Sequence, residues 1–598
     1  MVGPSLKVQR MPKTSRESRL SEAQHAFDGG HCARAVEICR ALLREDAGWA
    51  EAHYLLGLAL ANLGDLNRAV ASLTEAALLL PKNAVLHSDL GVILRRLGQD
   101  EEAVAVYRKA VKIDPDLAEG HYNLGNALQA AGQLTAAIEA FLQCLRIEPR
   151  HTRAHNNIGL ALLKDARPAE AAEHFRGLIA ADGQAAYAHN NLANALRDLG
   201  EGAAAIESYR RAIALQPDYS EALSNLGVAL KESGDLNGAV AAQRQAIKAD
   251  PQNFTAQANT GSVLFEAGEL NAAISSMEAA VEAIPGNAAL HWNLALAYLM
   301  AGNFSRGWAE YEWRWRKEDF TTPRQNFEQP QWDGSDLQGR SILLHAEQGL
   351  GDTIQFIRYA PLVRQRGGRV FVVCQPELKR LLQSAPGIDV LAASGEQVPM
   401  FDVHLPMLSL PHVLGTTAAN IPADIPYLRP PADAVAKPEI SPILKIGIVW
   451  AGSATHRHDS KRSINLAALS PLLETKGCIF ISLQVGPQRA EIAAAGLSGQ
   501  MFDVADELHD FADTASAISQ LDLLITVDTA VAHLAGALGC PVWLMLSHVP
   551  DWRWMMTRSD SPWYPTMKLF RQPAIGDWTA VIEEVRQSLS SAIGQRAV

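Results

Sequence analysis

The 598-residue sequence lacks long apolar runs, paired cysteines and an excess of basic residues. No uncharged apolar stretch reaches the roughly 18–20 residues that a bilayer-spanning helix needs, so no membrane span is expected. The six cysteines are scattered without a CxxC pair or the spacing of metal ligands, which favours a reducing compartment, the cytoplasm. A formal charge of −12 argues against a nucleic-acid-binding protein, because binding phosphates needs a concentrated basic face.

The start of the sequence shows no secretory signal. Residues 1–15 carry basic side chains such as Lys7, Arg10 and Lys13, but no apolar core follows them. The sequence therefore predicts a disordered leader over residues 1–15. The remaining length exceeds what one hydrophobic core usually organises, so two or three domains are expected.

A pattern with a period of 34 residues runs through the first half of the chain. A small residue recurs at Gly57, Gly91, Gly125, Gly159, Ala193, Gly227, Gly261 and Ala295. A second ladder comprises Gly64, Gly98, Gly132, Gly200, Gly234, Gly268 and Gly302. The first residue would let two helices approach closely, and the second can adopt the positive φ that ends a helix. The pattern resembles the tetratricopeptide-repeat (TPR) consensus, which implies an α-helical, right-handed superhelical solenoid of about nine repeats over residues 16–320.

One asparagine per repeat lies two residues before the small residue. The six are Asn123, Asn157, Asn191, Asn225, Asn259 and Asn293. In a TPR solenoid this helix lines the inner surface, where a row of amides could bind the backbone of an extended polypeptide. The asparagines could instead cap or bridge neighbouring helices. Similar ladders occur in the TPR half of the O-linked N-acetylglucosamine transferases, and that resemblance favours peptide binding.

A histidine also recurs once per repeat. The ladder consists of His53, His87, His121, His155, His189 and His291. Neighbouring repeats would hold these side chains roughly 8–10 Å apart, the usual separation of packed helices. Zinc ligands lie at about 2 Å from the metal, so we expect packing residues and no metal site.

Aromatic residues are dense where the repeats end. Trp308, Tyr311 and Trp315 share one helical face and would cover the open end of the solenoid against the next domain. The segment 321–338 is polar and contains prolines, so it predicts a linker.

The second half changes to short β-rich runs between helical stretches. The predicted strands are 341–346, 369–374, 445–452, 478–485, 522–528 and 542–546. Alternating strands and helices predict parallel sheets with helices on both faces. A proline-rich segment divides this half into lobes of residues 339–435 and 441–598, which would face each other across a ligand-binding cleft.

Three polar motifs follow predicted strands. They are 349–353 (GLGDT), the loop 452–465 and 527–533 (VDTAVAH). The first N–H groups of the helix after the third motif, with Lys461 and Arg462 of the loop, could bind a diphosphate. The GxG of the first motif lacks the third glycine of a dinucleotide fingerprint. Asp352 and Asp528 also fit simple helix caps, because aspartate is favoured there.

These motifs, in this order, resemble the family 9 glycosyltransferases, the heptosyltransferase type with a GT-B fold of two Rossmann-like lobes. The resemblance implies that Asp352 is the catalytic base and that the lobe 339–435 binds the acceptor. It implies that the lobe 441–598 binds a nucleotide-sugar donor through Lys461, Arg462, Ser463, Asp528, Thr529, Ala530 and His533. The long solenoid and the short first lobe depart from the lipopolysaccharide heptosyltransferases, so the acceptor stays open.

The resemblance implies inverting transfer from a nucleotide-diphosphate sugar, which is a co-substrate, with neither a metal nor a cofactor. In keeping with this, the single DxD sequence of the chain, at residues 114–116, falls in a repeat turn. ADP, GDP and UDP donors all remain open. Gln484 and Gln488 follow a strand and could contact the nucleoside, but we expect surface glutamines.

Three functions follow. The first is a transferase whose solenoid recruits a polypeptide acceptor, and the second is a transferase acting on a glycan or small acceptor. The third is a TPR adaptor whose transferase-like half is inactive. Retention of Asp352, Asp528 and His533 argues against the adaptor, and the asparagine ladder favours the first function over the second.

Overall fold

The computed structural model describes residues 13–320, 322–431, 443–453 and 459–596. Within residues 13–316 of this range, the chain forms nine consecutive antiparallel helix pairs that end in a short 3-10 turn, Glu312–Arg316. The helices are α1 (Lys13–Asp28), α2 (Cys32–Glu45), α3 (Ala50–Asn62), α4 (Leu66–Leu79), α5 (Ala84–Arg96), α6 (Asp100–Ile113), α7 (Ala118–Ala130), α8 (Leu134–Ile147), α9 (Thr152–Lys164), α10 (Pro168–Ala181), α11 (Ala186–Asp198), α12 (Gly202–Leu215), α13 (Ser220–Glu232), α14 (Leu236–Ala249), α15 (Phe254–Glu266), α16 (Leu270–Ala283), α17 (Ala288–Met300) and α18 (Phe304–Tyr311).

The first helix begins inside the predicted leader. Helix α1 starts at Lys13, so residues 13–15 are helical rather than part of a disordered leader. Residues 1–12 of that prediction lie outside the described residues.

The two residue ladders have the geometry that their chemistry requires. Each glycine of the second ladder has positive φ, and in the one repeat without it Ala166 takes the same conformation with φ 55°. At Gly125 of the first ladder, a Cβ atom would lie 2.5 Å from the ring of Phe141 on the paired helix. Only a very small residue permits this approach, because real Cβ contacts that short do not occur.

The chain divides into two compact units, Met1–Pro251 and Gln252–Val598. The second unit contains helices α15 to α18 together with all the strands of the described residues.

Ten strands form two sheets in the described part of the second unit, and every strand pairing is parallel. The strands are β1 (Ser341–His345), β2 (Arg369–Cys374), β3 (Val390–Ala393), β4 (Val403–Pro406), β5 (Leu444–Val449), β6 (Cys478–Ser482), β7 (Met501–Asp503), β8 (Leu523–Val527), β9 (Val542–Leu546) and β10 (Met567–Arg571). The sheet orders are β3-β2-β1-β4 and β10-β9-β8-β5-β6-β7. Both follow the order of doubly wound sheets, in which ligands bind beyond the carboxyl ends of the strands where the order reverses.

Short helices connect these strands. They are α19 (Leu350–Phe356), α20 (Ala360–Arg364), α21 (Lys379–Leu382), α22 (Leu410–Val413), α23 (Asp459–Arg462), α24 (Ser470–Leu473), α25 (Glu491–Ala494), α26 (Phe511–Ser519), α27 (Ala530–Ala537) and α28 (Trp578–Arg596). None of the helices in the described ranges is both long and apolar enough to cross a bilayer.

The segment predicted as a linker packs against the first sheet. Trp332 is buried, and its backbone N–H donates to the carbonyl of His404 at 2.9 Å. Gln331 pairs in parallel with the same His404, a residue of β4. Residues 330–332 of the predicted linker therefore lie along the edge of the first sheet.

One apolar core joins the last helix pair to both sheets of the second unit. Trp308 is 1% exposed and belongs to a buried cluster that also contains Leu344 of β1 and Leu544 of β9. Its ring meets those of Trp552 and Trp563 edge-on, with centroid separations of 5.2 Å and 6.5 Å. Edge-to-face aromatic pairs of this kind each add about 0.5–1.5 kcal/mol to the burial of apolar area.

Candidate functional site

Helices α19 and α27 pack against each other. Each helix follows a strand at which the sheet order reverses, β1 for α19 and β8 for α27. A Cβ atom at Gly351 would lie 3.0 Å from Cδ2 of His533 and 3.5 Å from Cα of Ala530. The glycine before Asp352 therefore permits helix contact, which brings the first and third predicted motifs together.

Asp352 both caps its helix and forms an ion pair. Its Oδ2 accepts the backbone N–H of Gly349 at 2.8 Å, and its Oδ1 pairs with a guanidinium nitrogen of Arg553. The side chain keeps 16% of its surface exposed. One carboxylate oxygen of Asp352 thus caps the helix, as the capping interpretation predicted, and the other pairs with a buried cation.

Arg553 organises the carboxylates of the site. Its Nε donates to Oε1 of Gln355 at 2.5 Å, and Nη1 donates to Oδ1 of Asp551 at 2.8 Å. Although burial opposes the charge of this guanidinium, Asp551 and Asp352 raise its pKa. The group is therefore a permanent cation that fixes the position of Asp352.

Asp528 follows β8 and lies at the start of α27. Burial, together with the negative charge of Asp551, raises the pKa of this carboxyl to about 6, while Arg462, a hydrogen bond from Trp554 and Arg553 act in the opposite direction. The proton of Asp528 is therefore held more tightly than that of an ordinary aspartate.

His533 is a buried, neutral imidazole. Its Nδ1 lies 2.9 Å from the hydroxyl of Tyr564, and its ring stacks on Trp554 at 5.4 Å. Burial lowers the pKa of His533 well below its ordinary value, and the charges of Arg553, Arg358 and Arg462 lower it further. The side chain can therefore offer a hydrogen bond without carrying charge.

The first backbone N–H groups of α27 are not capped by the side chain of the N-cap residue. Thr529 is the N-cap residue, but its side chain accepts no N–H from the first turn. The Thr529 hydroxyl lies 3.4 Å from that of Thr526. The first N–H groups of α27, beginning at Ala530, therefore rely on partners other than this side chain.

The two cations of the basic loop form ion pairs with different elements. Lys461 pairs with Glu266 of α15 at 3.0 Å. Arg462 pairs with Asp459 at 3.3 Å and lies over Gly452, where a Cβ would meet its guanidinium at 2.5 Å. The charge of Arg462 lowers the pKa values of both Asp528 and His533, whereas Lys461 is held by Glu266.

Ser463 supports this loop from inside. Its hydroxyl accepts the N–H of Gly452 at 3.0 Å and donates to Asp459 at 3.0 Å. The structure thus gives Ser463 a loop-forming role, and residues 454–458 of the predicted loop lie outside the described residues.

Gln484 is not a surface glutamine. It is 3% exposed, and its Oε1 accepts the backbone N–H groups of Trp450 and Ala451 at 3.2 Å and 3.0 Å. The side chain closes the end of β5 and is not available to a nucleoside. Its burial was missed because the residue falls just beyond a strand.

The asparagine ladder forms bridges between repeats. Asn157 donates to Asn126 at 2.7 Å, Asn191 donates to Asn156 at 2.9 Å, and Asn225 donates to Asn190 at 3.1 Å. The six residues Asn123, Asn157, Asn191, Asn225, Asn259 and Asn293 are all partly exposed. The bridging alternative therefore describes at least three of them, each of which retains exposed surface.

The histidine ladder braces the turns between repeats. The Nε2 atoms of His53, His87, His121, His155 and His291 lie 2.9–3.2 Å from the carbonyl oxygen six residues earlier. In the described ranges, no group of three or more His, Cys, Asp or Glu side chains could hold a metal ion.

Two non-glycine residues with positive φ flank the site. Gln348, with φ 57°, precedes the Asp352 turn, and Met555, with φ 50°, follows Arg553. Such conformations cost about 1–3 kcal/mol and cluster at functional sites.

Sequence reasoning missed Arg553 and Asp551. Their segment, DWRW, repeats the EWRW of residues 312–315, an acid followed by Trp-Arg-Trp. This repeated motif is the sequence feature that could have identified both residues.

Four repeat-family models match the first half of the chain. One, described as a TPR repeat, matches residues 92–132 and 193–234. Three described as tetratricopeptide repeats match 20–84 and 122–186, 264–307, and 220–253. The N-terminal half carries TPR repeats. These matches identify the nine helix pairs as a TPR solenoid.

A curated protein resembles part of the TPR-bearing chain. Protein FlbA of Caulobacter vibrioides is 27% identical over 335 residues, which cover 49% of this chain and 54% of FlbA. The chain thus spans about half the length of this relative.

Several solved structures resemble the solenoid. MamA of Desulfovibrio magneticus RS-1, solved from residue 41 to its end, is 26% identical, with a TM-score of 0.28, covering 29% of this chain and 99% of the solved MamA chain. PilF of Pseudomonas aeruginosa is 23% identical, with a TM-score of 0.30, covering 35% and 95%. YrrB, a TPR protein with an unusual peptide-binding site, is 21% identical, with a TM-score of 0.28, covering 31% of this chain and 95% of the YrrB chain.

Proposed function

We propose that the C-terminal half is an inverting, metal-independent glycosyltransferase of the GT-B type and that the TPR solenoid recruits its acceptor, a polypeptide. The observation that carries this proposal is the meeting of α19 and α27. It packs Gly351, the neighbour of Asp352 in α19, against Ala530 and His533 of α27, the helix that begins just after Asp528 and Thr529.

The region around His533 favours a bound anion. Three arginines, Arg358, Arg462 and Arg553, act on the pKa of His533. The buried Arg358 makes hydrogen bonds, within the described chain, to neutral oxygens of Gln355, Pro422, Trp563 and Tyr427. Buried charges are normally paired, and a diphosphate would supply compensating negative charge near this cation and the α27 N-terminus.

The proposed reaction forms one bond and breaks one. The acceptor hydroxyl oxygen attacks the anomeric carbon of the donor sugar while Asp352 takes the hydroxyl proton. The bond from that carbon to the diphosphate oxygen breaks, and the electron pair leaves with the diphosphate. Arg462, the α27 N-terminus and neutral His533 stabilise the growing negative charge, with Lys461 joining them once it leaves Glu266.

The ion pair with Arg553 constrains the role of Asp352. A carboxylate beside a buried cation is a weaker base than a free one. In this proposal the acceptor hydroxyl hydrogen-bonds to Asp352 on its exposed side, and Arg553 keeps the carboxylate ionised and oriented.

A screen of ADP-, GDP- and UDP-sugars tests the proposal. Wild-type protein should hydrolyse one donor, and Asp352→Asn, which preserves the size of the side chain, should lose at least about 100-fold in rate. Asp577→Ala is the matched control, because Asp577 caps α28 by accepting the N–H of Ala580 at 3.1 Å, away from the site. If no donor is turned over or bound, the inactive adaptor becomes the better account; equal rates for wild type and Asp352→Asn would remove Asp352 from the mechanism.

A further inference from the structure

The sequence motif of an acid followed by Trp-Arg-Trp occurs twice and forms the same structure twice. Each motif carries a 3-10 turn within the second unit, Glu312–Arg316 in the first and Trp552–Trp554, capped by Asp551, in the second. Each turn buries its arginine, Arg314 at 0% and Arg553 at 8% exposure. The first turn ends the last TPR repeat, and the second belongs to the donor-side lobe.

The two arginines hold opposite ends of one loop. Arg314 donates from Nε and Nη2 to the two carboxylate oxygens of Glu347, at 3.0 Å and 2.8 Å. Arg553 pairs with Asp352. The catalytic loop, residues 347–352, thus lies between a cation from the solenoid and a cation from the second lobe.

The residues between these ends are also fixed by the last repeat. Gln348 has φ 57°, its backbone N–H donates to Oγ1 of Thr322 at 3.1 Å, and its amide donates to the hydroxyl of Tyr311 at 3.2 Å. The next residue, Gly349, donates its N–H to Asp352. A short, continuous set of hydrogen bonds therefore links the last repeat to the Asp352 carboxylate.

The Arg314–Glu347 pair has the geometry of a rigid support. Both side chains are fully buried. Glu347 also accepts the N–H of Leu408 at 3.0 Å, and Arg314 also donates to Ser409 at 2.8 Å. A planar guanidinium can make this bidentate contact, and a lysine ammonium cannot reproduce it.

We propose that Arg314 is a positioning residue for catalysis and that the last TPR repeat is therefore a structural part of the catalytic site. This inference rests on the proposed function. Arg314 touches no reacting atom; it acts through Glu347 on the loop that carries Asp352.

The residues that follow the second arginine-bearing turn contact the last two repeats. A Cβ atom at Gly302 would lie 2.9 Å from Cε of Met555, and one at Gly268 would lie 3.2 Å from Cε of Met556. The turn glycines of the last two repeats thus contact the residues that follow Arg553. Both supports of the catalytic loop depend on this end of the solenoid.

The test compares Arg314→Lys with Arg306→Lys in the full chain. Arg306 lies in the same repeat and pairs with Glu278, with 58% of its side chain exposed. We expect Arg314→Lys to lower kcat by roughly 10- to 100-fold, because small displacements of a catalytic group cost that much. The KM for the donor should stay unchanged, and Arg306→Lys should match wild type in both. A purely structural role would instead lower the folded fraction and leave the kcat of the folded protein intact.

Hydrogen–deuterium exchange gives a readout that needs no turnover. Amides of residues 348–353 should exchange faster in Arg314→Lys, while those of α27 stay as in wild type. If Arg314→Lys does not fold, Ser409→Ala removes one hydrogen bond of the same guanidinium and should lower kcat by roughly 2- to 10-fold.

The two proposals fail differently. Wild-type kcat or unchanged exchange in the Arg314 variant overturns the positioning role alone. Absence of turnover in the wild type overturns the proposed function and the positioning role with it.

Discussion

At the scale of single residues, Asp528 gives the site its pH dependence. Its folded-state pKa of about 6 lies above the unfolded value of about 4, so the folded state binds the proton more tightly. Stability attributable to this group is therefore present below about pH 4 and is lost as the pH rises toward 6.

Asp528→Asn should remove this dependence. Relative to the variant, wild type should lose roughly 2–3 kcal/mol of unfolding free energy between about pH 4 and 7. Thermal unfolding at several pH values measures the difference, with Asp116→Asn, an exposed loop residue, as the control. If the stability of wild type and that of Asp528→Asn changed in parallel with pH, the raised pKa of Asp528 would be contradicted.

The histidine ladder gives a second prediction at this scale. His87 is 2% exposed, and its Nε2 lies 3.2 Å from the carbonyl oxygen of Pro81. His87→Ala should cost about 1–3 kcal/mol, because it removes the packing of a buried imidazole together with its hydrogen bond to Pro81. His121→Ala, at a more exposed position with the same bond, should cost less. Denaturant unfolding measures both, and equal losses would contradict a role for burial.

The positions of the candidate site residues were predictable where local sequence sets them. Asp528 directly follows β8, while Asp352 and His533 lie in the helices after β1 and β8, and the structure packs these two helices together. Arg553 and the choice between Lys461 and Arg462 depend on how loops fold onto distant elements, which short-range pattern does not encode.

At the scale of elements, the crossing of α19 and α27 depends on one glycine. Gly351→Val should force these helices apart, cost about 1–3 kcal/mol through overpacking and reduce donor turnover. The control is Gly202→Ala, at the first residue of α12, where an added Cβ atom would meet nothing within 4 Å. This variant should stay within about 0.5 kcal/mol of the wild-type stability. Unaltered stability and turnover in Gly351→Val would mean that the helices need not touch.

Long periodic elements were predictable, and short ones were not. The 34-residue spacing placed the helix pairs of the repeats, and the apolar runs 369–374 and 542–546 match β2 and β9. Strands β3, β4 and β7 have only three or four residues, too few to show a period, and β10, MKLFR, breaks the alternation because Leu569 and Phe570 are adjacent.

At the scale of the whole molecule, mutation of the asparagine ladder tests acceptor recruitment separately from sugar transfer. Replacing all six ladder asparagines with alanine should weaken acceptor capture while donor hydrolysis stays intact. Because Asn157, Asn191 and Asn225 bridge repeats, the variant should also lose roughly 1 kcal/mol for each bridge.

Two measurements keep these effects apart. Circular dichroism at the assay temperature reports whether the solenoid is folded, and pull-down of a captured polypeptide reports binding. Equal loss of capture and hydrolysis in a folded variant would contradict a recruiting role for the ladder.

The central claim, that the second half binds a nucleotide-sugar, is tested most directly by calorimetric titration of the full chain with ADP, GDP and UDP. We predict that one nucleotide binds at a single site and that Arg462→Ala weakens it about tenfold, equivalent to about 1.4 kcal/mol. Asp352→Asn should bind it as wild type does, because Asp352 serves the acceptor. Absence of binding by all three nucleotides, or binding that Arg462→Ala leaves unchanged, would contradict the account.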